Sequence, residues 1–302
     1  MLPLFYHPIY TEGIDPSARF PRERYRLLAE RLHKHETIEL REPRLATRDE
    51  LALAHDLRYI DTFLANQLDE KAMRRIGLRP WTPAIVERTL RIAGGSLQAL
   101  DLALETRGIA GNLAGGTHHA YRDFGSGYCI FNDVALCALN ALQQKKDQRI
   151  LSLDLDVHQG DGTASILARE PRVFTCSIHA QSNFPFRKQR SDLDIGLEDQ
   201  LGDLSYMEIL ERAMDEIEAD RFDLILFQAG VDTLAEDALG NLALTREGLR
   251  KRNQKVFELN AQHGIPIVIF MGGGYAKPIE LTVDAFEDLF QQAAQAVSSA
   301  RA

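Results

Sequence analysis

Cysteine is scarce in this chain: Cys129, Cys137 and Cys176 are the only three in 302 residues. Their number and spacing exclude a disulfide framework and a cysteine-rich zinc site. A basic excess is missing too. Thirty-five Lys and Arg against 44 Asp and Glu leave a formal net charge of −9, which argues against direct electrostatic binding to nucleic acid or to an anionic membrane. No apolar run approaches the ~20 residues that cross a bilayer. The opening MLPLFYHPIY has neither a basic n-region nor a long apolar core, so a soluble, cytoplasmic protein without a secretory signal is expected. No internal repeat, low-complexity tract or Pro/Gly/Ser-rich linker is found, so residues 1–302 are expected to form a single domain. What is present is ordinary globular composition, 45% hydrophobic and 26% charged.

Short apolar runs alternate with longer amphipathic stretches. Strands are expected at Leu2–Tyr6, Ile109–Leu113, Ile150–Val157, Val173–Ile178, Leu224–Gln228 and Ile265–Met271. Several are apolar at consecutive positions, as in strands covered on both faces. Helices are expected at Arg22–Leu32, Pro83–Thr106, Asp133–Lys146, Ser205–Ala219, Thr245–His263 and Ile279–Ser299. His263-Gly264 with Pro266 beyond it reads as a helix stop. Residues 33–82 read as irregular loops with a short helix near Thr47–Leu57, and Ala180–Gly202 as a polar surface excursion. Strand–helix alternation implies an α/β protein with a mainly parallel sheet between helices. In such sheets, sites form beyond the carboxyl ends of the strands.

Four of those strand ends run into loops that core packing would not select. They carry Gly115-Gly116-Thr117-His118-His119, then Asp154 through Gly162, then Ala229-Gly230-Val231-Asp232, and finally Gly272-Gly273-Gly274-Tyr275. In an extended chain Asp154, Asp156 and His158 share a face. Three ionisable groups there are costly unless a cation compensates them. Asp156 and His158 are therefore candidate metal ligands, with Asp232 the third. That donor set suits Zn²⁺ or Fe²⁺ better than Cu⁺, and three protein ligands with an open position is the catalytic pattern. A separate base would help. His118 and His119 offer it, with Asp154 and Asp161 to orient the imidazoles. Plainer readings exist for each: Asp161 as a turn or cap residue, the histidine pair as a solvated turn, Tyr275 as a surface residue after a glycine turn. Tyr275 could otherwise donate to a developing oxyanion. The glycine loops lack a P-loop lysine and no G-x-G-x-x-G follows a strand, so nucleotide binding is not expected.

These segments, with Gly127-Tyr128-Cys129-Ile130-Phe131-Asn132-Asp133 between them, resemble in order the motifs of the zinc-dependent histone deacetylase superfamily. The short length, Phe20-Pro21, and Ser177-Ile178-His179-Ala180 are similar to bacterial members close to class IV. The resemblance implies the arginase/deacetylase fold, a three-layer α/β/α arrangement with a central, mostly parallel, eight-stranded sheet. It implies zinc on Asp156, His158 and Asp232, His119 as general base with His118 beside it, and Asp154 and Asp161 as their acids. Tyr275 becomes the oxyanion donor. Asp154 and Ser177 match a structural potassium site, Gly127 and Tyr128 the wall of an acyl-lysine tunnel, and Leu239 its apolar gatekeeper.

Two departures bear on the substrate. Gly77-Leu78-Arg79-Pro80-Trp81 has no acid where peptide-directed relatives grip the substrate backbone, and Asp237-Ala238-Leu239 lacks the glutamate of polyamine-selective relatives. The ureohydrolases that share the fold use two manganese ions. Here Thr233-Leu234 follows Asp232, which favours one metal. The expected function is a metal-dependent amidohydrolase acting on acyl-lysine in a protein or peptide. The alternatives are an acetylpolyamine or other small acyl-amine hydrolase and, from another class, a non-catalytic acyl-lysine-binding protein.

Overall fold

A computed structural model describes residues 1–299; the last three residues of the expected 1–302 domain lie outside the described residues. The sheet contains β1 (Leu2–Phe5), β2 (Ile38–Arg41), β3 (Ile109–Asn112), β4 (Ile150–Asp154), β5 (Val173–Ala180), β6 (Leu193–Leu197), β7 (Leu224–Gln228) and β8 (Ile267–Phe270). Its order is β2-β1-β3-β8-β7-β4-β5-β6, and every pairing is parallel. The sheet is thus wholly parallel, where a mostly parallel one was expected. Every residue of β3, β4, β7 and β8 is buried, which is why these strands are apolar at most consecutive positions.

Helices cover the sheet. Ile85–Thr106 packs on β1, β3 and β8 and against Asp133–Gln144, while Arg246–His263 packs against Ile279–Ser299 and Asp203–Glu216. These helices and strands form a three-layer α/β/α arrangement. Gly264 ends its helix at φ +64, the left-handed stop that glycine takes without steric cost. No helix among the described residues is long and apolar enough to cross a membrane.

Three sequence expectations change. Residues 33–82 carry more regular structure than expected: besides the short helix Arg48–Leu51, within the expected Thr47–Leu57 stretch, they supply β2 and helices Leu57–Leu64 and Glu70–Ile76. Each of these helices starts at a side-chain cap, Thr47, Asp56 or Asp69, a signal that outweighs weak periodicity in short elements. The stretch 180–202 contains edge strand β6, whose alternating burial hides its apolar half. And β4 ends at Asp154, not Val157. Beyond it, Asp154 Oδ1 accepts from the Asp156 backbone N–H at 3.2 Å, and Asp156 Oδ1 accepts from that of His158 at 3.0 Å. Such local bonds replace ladder bonds and turn the chain out of the sheet.

The strand order decides where the chemistry falls. β3, β8, β7 and β4 are consecutive neighbours at the centre of the sheet. Their outgoing loops are the four polar segments, so segments distant in sequence emerge side by side.

Candidate active site

Asp156, His158 and Asp232 converge at the ends of β4 and β7. His158 Nδ1 lies 3.1 Å from Asp156 Oδ1 and 3.1 Å from Asp232 Oδ2. All three are buried, with one ligand atom from each within 4.8 Å of the others. Burial alone would neutralise His158, but hydrogen bonds and charge from Asp156 and Asp232 overcome it and raise its pKa to about 10. Asp232 is pushed up to about 7, first by burial and then by the Asp156 charge. Two buried carboxylates on one imidazole nitrogen demand a cation, whether a proton or a metal. The oxygen and nitrogen donors fit a divalent ion of borderline character. Asp154 stands outside this ligand group: its Oδ2 meets His118 Nδ1 at 2.8 Å, while His118 Nε2 lies 3.9 Å from Asp156 Oδ1.

The loops are braced from beneath. Arg252, fully buried on its helix, donates to the carbonyls of Leu155, Ala229 and Gly230. Gly273 explains the glycine run: a Cβ there would stand 1.8 Å from Asp232 Oδ2, and its backbone N–H donates to Asp156 Oδ2 at 2.7 Å. Only Gly272 of the three has a positive φ. Close passage of backbone against carboxylates, rather than turn geometry alone, requires glycine here.

His118 and His119 are buried side by side, with ring centroids 4.1 Å apart. They are not a solvated turn. Asp133, at the start of helix Asp133–Gln144, holds their loop by accepting from the backbone N–H groups of Gly116 and Thr117. His119 Nδ1 donates to Asp161 Oδ1 at 2.6 Å, and Tyr121 Oη donates to Asp161 Oδ2 at 2.9 Å. A carboxylate only accepts, so Nδ1 carries the proton and Nε2 keeps its lone pair. Burial, then the neighbouring His118 charge, lowers His119 to about 4. Burial acts the same way on His118, but Asp154 and Asp156 outweigh it and raise His118 to about 9. Asp161 opens the short helix Asp161–Leu167 without capping it.

A cavity of about 640 Å³ leads to these groups past Phe20, Tyr128, Phe184, Leu239 and Tyr275. Gly127 must lack a side chain, since a Cβ would meet His119 Cδ2 at 2.6 Å. Tyr128 sits at φ +67, unusual for a bulky residue. Leu239 is 44% exposed at the mouth. Tyr275 lines the cavity, and its backbone N–H donates to Asp237 Oδ2 at 2.6 Å. It is a wall residue, not a surface one. Ser177 lies opposite Asp154 in the β4–β5 register, with its hydroxyl 3.0 Å from His179 Nδ1.

Several contributors escaped the sequence reading. Asp237 accepts from the backbone of Leu239, Gly240 and Tyr275, tying two loops together. Arg252 sat unremarked within an amphipathic helix. Phe184 lay in the stretch read as a polar excursion. Two phenylalanines around Pro185 were the available signal there.

Comparison with known proteins agrees with this geometry. The chain is 44% identical over 281 residues to an uncharacterized protein of Picosynechococcus, covering 92% of this chain and 93% of that one. It is 31% identical to Histone deacetylase 8 of Xenopus laevis, over 78% of this chain and 77% of the relative. Histone deacetylase 2 of Arabidopsis thaliana is 34% identical over 66% of this chain, which spans only 52% of that protein. The family model for the histone deacetylase domain matches residues 18–287. That span contains all four loops and both histidine–carboxylate pairs, and it places this chain in the histone deacetylase family, a deacetylase-type hydrolase.

Proposed function

We propose that this hydrolase is a zinc-dependent deacylase that cleaves the amide between an acyl group and an amine, the ε-amine of lysine first among them. One observation carries the reading: His119, its Nδ1 held by Asp161, lines the same cavity as Tyr275 and as Asp156 and His158 of the three-residue ligand group. When bound by those three residues, a divalent cation supplies the Lewis acidity that polarises an amide carbonyl.

The remaining chemistry belongs to side chains. His119 Nε2 takes a proton from the attacking water while Asp161 holds the ring and its tautomer. The Tyr275 hydroxyl donates to the tetrahedral oxyanion. One of the two histidines, as imidazolium, returns a proton to the departing amine, which leaves neutral. Asp154 orients His118 in the same way. The aromatic walls of Phe20, Tyr128 and Phe184 suit an uncharged methylene stem. The apolar mouth at Leu239 favours that stem over a polycation. A structural potassium ion at Asp154 and Ser177 remains part of the proposal, supported by their register alone.

The test is turnover of an acyl-lysine reporter. Activity should vanish on chelation and return with Zn²⁺. A metal-loaded protein that binds acyl-lysine without releasing the acid would show a binding protein instead.

A further inference from the structure

The loop of residues 181–192 forms one wall of the cavity, and the reaction sketched above assigns no task to its charged residues. Phe184 stands edge-on to His119, ring centroids 4.9 Å apart, and Phe186 stands edge-on to Phe184 at 6.5 Å. Phe186 lines the mouth and is 91% exposed, so solvent exclusion does not hold it there. Something else fixes this aromatic pair.

Lys188 turns back into its own loop. Its Nζ donates to the carbonyls of Asn183 at 2.5 Å and Pro185 at 2.9 Å, the two that bracket Phe184. Lysine ordinarily extends its ammonium into water. Here the half-buried ammonium pairs with no carboxylate among the described residues, and burial lowers its pKa despite the charges of Asp161 and Asp194. The ends of the loop are tied independently. Gln159 exchanges two hydrogen bonds with the Gln189 backbone, and the Asn183 side chain bonds to the backbone of Leu239 and Asn241. Lys188 therefore braces the middle, where the two phenylalanines are.

We propose that Lys188 is a positioning residue: its ammonium clamps the Asn183 and Pro185 carbonyls, sets Phe184 against His119, and so sets the affinity of the tunnel for the substrate's stem. The effect on affinity rests on the deacylase reading. The effect on the loop does not.

Lys188→Met keeps the stem and removes the donors. With an acyl-lysine reporter its KM should rise about three- to tenfold while kcat stays within about twofold. Amide hydrogen exchange across residues 183–187 should quicken, with metal content and Tm at parental values. In a Phe184→Ala background, adding Lys188→Met should change KM no further. Lys188→Arg, which keeps charge and donors, should recover most of the parental KM. Parental KM and exchange in Lys188→Met would overturn the proposal, and so would full additivity with Phe184→Ala. Loss of metal or a large fall in Tm would also overturn it, because Lys188 would then hold the fold and not the wall. A parent that fails to turn over the reporter would instead refute the deacylase reading, and the exchange rates would still decide whether Lys188 holds the loop.

Discussion

His119 Nδ1 lies 2.6 Å from Asp161 Oδ1, across 42 residues of sequence, and this contact selects the ring tautomer. Asp161→Asn keeps the shape of the pair but can present an amide N–H where a carboxylate stood. Metal content should stay parental while kcat falls by about 10²–10⁴, as expected when a base loses its orienting acid. His119→Ala should behave alike, and the double variant should be little worse than either single one. Metal analysis and reporter kinetics on one preparation check this. Additive losses would mean the two residues act separately.

His158→Ala and Asp232→Ala should each lose bound metal and turnover together. Each supplies one of three protein donors, and a catalytic site with two is too weak to hold its ion. Elemental analysis after dialysis is the measurement. Full occupancy in both variants would displace the metal from this group.

Tyr275→Phe deletes one hydroxyl from the cavity wall. If that hydroxyl donates to an oxyanion formed in the transition state, kcat should fall by about 10²–10³ with KM little changed. Metal content and Tm should match the parent, because the Tyr275 backbone is held by Asp237 and not by the phenol. Parental kcat would remove Tyr275 from the mechanism.

His55 gives a stability prediction away from the metal. It is buried, its Nδ1 donates to the Tyr121 carbonyl at 3.0 Å, and its Nε2 accepts from the Asn132 backbone N–H at 2.8 Å. Burial lowers its pKa from 6.5 to about 4. The folded form thus keeps His55 neutral where the unfolded chain takes up a proton. Its contribution is complete above pH 6.5 and is lost as pH falls from 6.5 toward 4, on the order of 3 kcal/mol over that window. His119 and His179 shift in the same direction, so the contribution is read by difference. Denaturant unfolding at pH 7.5 and 4.5 should show a smaller pH loss in His55→Gln than in the parent. Equal losses would mean His55 does not stay neutral in the folded chain.

Local pattern was enough for much of this protein. Buried strands such as Leu224–Gln228 and Ile267–Phe270 announce themselves by consecutive apolar residues, because both faces of a parallel sheet are covered. The residues at their carboxyl ends stood out because charge and glycine have no packing reason to be there. Other features depend on partners far along the chain. The order β3-β8-β7-β4 makes neighbours of loops that lie far apart in the chain, and adjacency of that kind leaves no trace in local periodicity. Strand β6 alternates and sits at the edge, so its residues resemble a polar loop until β5 supplies the ladder. Alternation put Asp154, Asp156 and His158 on one face but could not say which partner each would meet, since each carboxylate takes whichever one the fold brings within reach. Asp154 takes His118, and Asp156 shares His158 with Asp232. Side-chain chemistry is written residue by residue, but which charges meet is settled only when burial forces each one to find a counterpart.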